Sequence, residues 1–161
     1  MNRGVTVVEL LIVVVVLILI GGLIRLHFVR KQEEEKRVEV QTDLKKVAQE
    51  IDHLHQDTGL DPSGIDREPC VQGAEVFLNT CRAGLKCTDG SFPDWDGPYM
   101  KELPKDPWGQ HYYFNADYLC KKETSGCKSV PNTTKVRAIL SAGPDGNPDT
   151  NEDNIVHIIC K

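Results

Sequence analysis

Two hydrophobic patterns follow one another along the first 57 residues. From Val5 to Ile24 nearly every position is apolar; Glu9 is the one carboxylate, and Gly21-Gly22 is a weak point late in the run. An apolar stretch of about 20 residues, broken only by Glu9, predicts a helix able to cross a membrane. From Lys31 to Asp57 there is no proline or glycine, and Val40, Leu44, Val47, Ile51 and Leu54 recur at spacings of 4, 3, 4 and 3. That is the stripe of an amphipathic helix with one buried face. Glu33 with Arg37 and Lys31 with Glu35 stand at i,i+4 on its exposed side. Nothing separates the two patterns, which predicts one helix over 5–57, about 80 Å long at 1.5 Å per residue. Gly59 and Pro62 end it.

Beyond Gly59 the chain turns to loops and short elements. Residues 74–86 predict a short helix with Phe77, Leu78, Cys81 and Leu85 on one side. Strand candidates are 111–114, 135–140 and 154–159, β-branched or aromatic runs separated by turn-rich segments. Together they predict an α+β fold, a small antiparallel sheet laid on the apolar stripe of the long helix. A head of roughly 100 residues buries little surface and benefits from staples.

The chain carries 19 basic and 24 acidic residues, a formal net charge of −5 with no basic stripe, which argues against nucleic acid as a partner. Cys70, Cys81, Cys87, Cys120, Cys127 and Cys160 all follow the apolar run and form no CxxC pair. An even set in a small exported head predicts three disulfides out of fifteen possible connectivities. Cys120 with Cys127 is the expected local pair. Arg25, Arg30 and Lys31 outnumber Arg3 across the apolar run, so the positive-inside rule alone would put the head in the cytoplasm. Glu33, Glu34 and Glu35 follow at once, and the leader adds the initiator amine. With the cysteines, these make export the expectation. The polar leader is too short for a secretory signal, and no small-x-small site follows the apolar run. The run is therefore expected to persist as an anchor.

Between the last two strand candidates, residues 141–154 (SAGPDGNPDTNEDN) crowd oxygen-bearing side chains among turn residues. Calcium takes six to eight such oxygens, although the register is not that of an EF-hand. Composition leaves two readings open, a metal site and a solvated acidic turn. His53 and His55 lie two apart on a helix and cannot share a face, so they read as surface residues. Trp108, Tyr112 and Tyr113 read as core and turn residues. No Ser/His/Asp or Cys/His arrangement has further support, and an enzyme is not expected.

Arg3-Gly4 followed by Val5-Thr6-Val7-Val8-Glu9-Leu10-Leu11 resembles the cleavage site of type IV pilins and pseudopilins, with Val5 where phenylalanine is usual. The resemblance implies cutting after Gly4 by a prepilin peptidase and methylation of Val5. The new α-amine, with an ordinary pKa of roughly 8, is a cation at the membrane edge. Glu9 of one subunit would pair with that amine on a neighbour, since a carboxylate inside a membrane span needs a partner.

Further along come Trp95-Asp96-Gly97-Pro98-Tyr99, Leu103-Pro104, Asp106-Pro107-Trp108-Gly109, Tyr112-Tyr113 and Leu140-Ser141-Ala142-Gly143-Pro144-Asp145-Gly146. In this order they resemble the major pseudopilins of type II secretion systems, and Asp57 to Pro62 resembles the family's turn after the long helix. The resemblance implies a pilin-like fold in four parts. These are a leader over 1–4, a transmembrane helix over 5–26, an amphipathic continuation over 27–58, and a periplasmic head over 59–161. It implies a structural calcium ion held by Ser141, Asp145 and Asp153 with backbone oxygens of Leu140 and Asp149. It also implies a helical homopolymer built from the inner membrane with minor pseudopilins and an inner-membrane assembly platform.

The chain departs from the family in its later loop, Asn147-Pro148-Asp149-Thr150, where Glu152 is an alternative to Asp153. It departs again in six cysteines and in a segment between Phe114 and Val136 that reads as an insertion. A surface type IV pilus subunit and a non-polymerising, signal-anchored, disulfide-rich binding domain are the alternative roles.

Overall fold

The computed structural model describes residues 7–66, 75–150 and 152–160, the side chains of Ser125 and Cys160 excepted. One helix, α1, runs over Val7–Thr58, through Gly21-Gly22 without a break. The chain divides into two compact units, Met1–Arg37 and Val38–Lys161.

In the first unit the helix is exposed all round, from Val7 at 79% to Val29 at 51%. It is long and apolar enough to cross a membrane. In the second unit Val40, Leu44, Val47, Ile51 and Leu54 are at most 1% exposed. Each large aliphatic side chain buried this way contributes about 1.5–3 kcal/mol. The helix stops because Gly59 takes a left-handed φ of 72° and its N–H bonds to the His55 carbonyl at 2.8 Å. The Thr58 hydroxyl donates to the Leu54 carbonyl at 2.7 Å and accepts from the Leu60 N–H at 3.1 Å, turning the chain.

β1 (Leu60–Asp61) and β2 (Ile65–Asp66) form a small hairpin. The main sheet is antiparallel in the order β3 (Val76–Phe77), β4 (Tyr113–Leu119), β5 (Lys135–Ser141) and β6 (Ile155–Cys160). β5 is buried from Val136 to Ser141, on both faces. Phe114, Ile139 and Ile155 join the helix stripe in one core, while Val136, Ala138, Leu140 and Val156 form a second with Tyr118, Cys120, Cys127 and Val130. Thus the sheet has the helix on one face and residues 120–130 on the other. A register shift between Asn115 and Tyr118 puts Tyr118 opposite Val136, on the second face. Tyr112 ties the sheet to the helix, its hydroxyl donating to Asp43 at 3.2 Å.

Three expectations are corrected. Within 75–86 there is no α-helix: Val76 and Phe77 pair with Phe114 and Tyr113, and only Cys81–Ala83 form a one-turn 3-10 helix. Leu78, Ala83 and Leu85 reach the core without helical spacing, because Gly84 at φ 76° and the Cys81–Cys87 disulfide bend the path. The strand expected over 111–114 runs instead from Tyr113 to Leu119, since Asn115 to Leu119 extend the ladder to Lys135. His55 is not a freely solvated residue; its Nδ1 lies 3.5 Å from the fully buried Asp61 carboxylate.

Candidate functional site

Glu9 sits in the first turns of α1 among exposed apolar side chains, on the helix long and apolar enough to cross a membrane. Gly4 and Val5 lie outside the described residues. The amphipathic half carries its charges in short-range pairs, Lys36 with Glu33 at 2.9 Å and Lys46 with Asp43 at 3.4 Å.

The acidic loop joins β5 to β6. Ser141 is fully buried at the end of β5; its hydroxyl donates to Asp106 Oδ2 at 2.5 Å and accepts from the Gly143 N–H at 3.1 Å. Asp106, itself 4% exposed, accepts at Oδ1 from the N–H groups of Trp108 and Gln110 at 3.1 and 2.8 Å. The Asp106-Pro107-Trp108-Gly109 turn and the start of the acidic loop are therefore joined through one carboxylate. Gly143 has φ 69°, and a Cβ there would lie 2.7 Å from the Asp153 carbonyl and 2.9 Å from Asp153 Oδ2. Only glycine lets the chain pass this close to the aspartate.

Across that gap Asp153 Oδ2 accepts from the Asp145 N–H at 3.3 Å. Asp145 accepts from the Thr150 hydroxyl at 2.6 Å and from the Asn147 N–H at 2.8 Å. These bonds, Thr150's first, hold the Asp145 carboxyl below the usual aspartate range. Lys121, Asp145, Asp149, Thr150, Glu152 and Asp153 line one open concavity. Leu140 is buried in β5, paired with Val156 and Tyr113, and the Asp149 N–H bonds to the Asn147 side chain at 3.1 Å.

Among the described residues no three His, Cys, Asp or Glu side chains converge on a metal position. Hydroxyl and carbonyl oxygens would have to complete any cation shell, a mixture calcium accepts. The glycine cradle against Asp153 fits that ion.

Comparison with known proteins bears on both regions. Residues 83–158 match the family described as Type II secretion system (T2SS), protein G. A type II secretion system core protein G of Pseudomonas aeruginosa is 30% identical, over 71% of this chain and 74% of the relative. The chain belongs to the protein G family of type II secretion systems. Another core protein G, from Klebsiella pneumoniae, is 26% identical over 94% of this chain and 91% of its own. The fold is also that of the major pseudopilin from the type 2 secretion system of enterohaemorrhagic Escherichia coli. That crystal structure matches with a TM-score of 0.50 at 23% identity, covering 78% of this chain and 85% of that one.

In this member of the protein G family the cysteines occupy separate places. Cys81–Cys87 and Cys120–Cys127 are disulfides; Cys70 lies outside the described residues, and only the backbone of Cys160, in β6, is described. Sequence reasoning missed a buried charge cluster. Arg137 and Asp61 are both fully buried, 3.4 Å apart, and Arg137 also donates to the Asp66 carbonyl. With His55 beside Asp61, the cluster fastens the end of α1 and the β1–β2 hairpin to β5. An arginine inside an otherwise apolar strand, Val136-Arg137-Ala138-Ile139-Leu140, was the available signal. Asp106 was also missed as a site residue, although Asp-Pro at a turn marks a carboxylate that caps backbone N–H groups.

Proposed function

We propose that this chain is the major structural subunit of a type II secretion pseudopilus, cut after Gly4 and polymerised through its N-terminal helix. The observation that carries the reading is the helix itself. Residues 7–24 are apolar apart from Glu9 and are exposed, and residues 40–54 are seated in a head. Apolar surface of this extent needs lipid or other subunits around it. In the membrane it is an anchor, with the head in the periplasm. In the filament the same helices pack together as a core.

Glu9 sets register. A carboxylate in a dry helix bundle is stabilised only by a close cation, and the methylated amine of Val5 on a neighbouring subunit supplies one. The minor pseudopilins and the inner-membrane platform act as assembly partners. The loop from Ser141 to Asn154 holds calcium through Asp145 and Asp153, with Ser141 and the carbonyls of Leu140 and Asp149 completing the oxygen set. When bound, the ion neutralises the paired carboxylates and ties the β5 end of the loop to its β6 end.

Intact mass of the membrane-extracted protein tests the reading. Loss of Met1–Gly4 with one methyl on Val5 is the expected result, together with Glu9→Ala protein that is processed but forms no filaments. Retention of Met1, or normal filaments from Glu9→Ala, would overturn it.

A further inference from the structure

Ser141 and Asp106 meet where solvent cannot decide the direction of a hydroxyl proton. Ser141 is fully buried, Asp106 is 4% exposed, and the bond between them is 2.5 Å long. The two oxygens of the Asp106 carboxylate have separate tasks. Oδ1 takes the N–H groups of Trp108 and Gln110, and Oδ2 takes the Ser141 hydroxyl. The backbone closes the same turn, with the Asp106 N–H on the Gln110 carbonyl and the Gly109 N–H on the Asp106 carbonyl, both at 2.9 Å. The turn meets the acidic loop a second time at Gly146, where a Cβ would lie 3.3 Å from Gln110 Nε2. The carboxylate is thus held from its own turn, and the Ser141 hydroxyl orients to it.

A serine hydroxyl has one proton to donate and two lone pairs to accept with. At Ser141 the proton goes to Asp106, and one lone pair takes the Gly143 N–H at 3.1 Å. Among the described residues nothing takes the other. Resting on the calcium reading above, we propose that Asp106 is a positioning residue for the loop's cation, acting through Ser141. By taking the hydroxyl proton it leaves Ser141 Oγ with a lone pair for the ion. Asp106→Asn reverses this arrangement without changing the size of the side chain. The amide oxygen is needed by the two N–H groups of the turn, so the amide nitrogen faces Ser141 and donates to it. Both lone pairs are then filled, and Ser141 is lost as a ligand. A partner one bond behind a metal ligand is worth about 10–100-fold in affinity.

Calorimetric titration of the full chain in detergent with calcium chloride is the test, on the parent, Asp106→Asn, Ser141→Ala and the double variant. Binding is expected to be at least about ten-fold weaker in each single variant, and no weaker again in the double variant. Equal affinity in parent and Asp106→Asn would overturn the role of Asp106 and leave the calcium site standing. A double variant weaker than Ser141→Ala would do the same, since Asp106 would then act by its charge or by holding the turn. Europium luminescence lifetimes in H2O and D2O count the waters on a bound ion and give a readout that lost stability alone does not imitate. Europium at saturation on Asp106→Asn is expected to carry an additional water in place of Ser141 Oγ, and hydration equal to the parent's would overturn the proposal. Absence of calcium binding in the parent would overturn the calcium reading itself, and the role of Asp106 with it.

Discussion

Residues 7–29 and 38–58 belong to the same helix and share its backbone hydrogen bonding, yet their surroundings are opposite. Leu17 is 63% exposed and Leu44 is 1% exposed. Apart from Glu9, Arg25 and His27, the first stretch is apolar on every face and has no direction in which to bury a stripe. The second alternates at helical period and presents one face to a sheet. Both stretches are helical although the valine- and isoleucine-rich first one has poor intrinsic propensity, so the pattern decides what covers each one. The first stretch leaves its apolar side chains exposed, and the second buries its stripe within the head.

Removing the charge that fastens the end of the second stretch should break the contrast most severely. Arg137→Ala leaves Asp61 buried beside His55 without its guanidinium partner. Breaking a buried pair costs about 3–5 kcal/mol, and thermal unfolding of the full chain in detergent is expected to fall by roughly 10–20 °C. Anchoring by residues 7–29 should be unaffected, so the variant is expected to fractionate with membranes as the parent does.

A matched pair of leucines sharpens the same contrast. Leu44→Ala opens a cavity in the core and is expected to cost about 2–5 kcal/mol in urea unfolding of the head. Leu17→Ala removes the same atoms from the other stretch and is expected to leave head unfolding within about 0.5 kcal/mol of the parent. Equal losses from the two would mean that residues 7–29 contribute to the stability of the head.

The helix, β5 and β6 were legible because each is long enough for its period to show. The stripe from Val40 to Leu54 named the buried face, and runs such as Lys135 to Leu140 named the strands. Val76-Phe77 was not legible, since two residues carry no period and their pairing partners, Phe114 and Tyr113, lie 38 and 36 positions away. The continuation of β4 past Phe114 was hidden by Asn115 and Asp117, polar residues of low strand propensity that tertiary pairing with β5 overrides. The acidic loop was visible by composition. The Ser141–Asp106 bond and the Asp61–Arg137 pair join segments 35 and 76 residues apart, and single-residue chemistry cannot name partners at such separations.

The excursion after β4 is the part of the head least anticipated by pattern, and its disulfide gives a smaller effect. Replacing Cys120 and Cys127 together by serine opens a short loop, worth about 2–3 kcal/mol by the chain-entropy relation. Unfolding by urea under non-reducing conditions is expected to show that loss. Because Cys120 and Cys127 are fully buried in the second core, a loss beyond about 3 kcal/mol would add packing to the loop-closure contribution.

The mildest prediction concerns the seam between β6 and the buried half of α1, where His157 lies with Gln41, Leu44 and Lys45. Burial, and then repulsion from Lys45, hold the His157 pKa below the ordinary histidine value of 6.5, with Asp52 opposing them. The unfolded chain therefore takes up this proton first as pH falls. Stability from a neutral His157 is fully present above about pH 6.5 and is lost as pH falls from there toward the depressed folded value. Melting of the parent is expected to drop on acidification through this range. In His157→Gln the drop should be smaller. Lys45→Gln should weaken the pH dependence and Asp52→Asn strengthen it, since one repels the imidazolium and the other attracts it. A parent and a His157→Gln variant with identical pH profiles would mean that the imidazole is as well solvated in the folded head as in the unfolded chain.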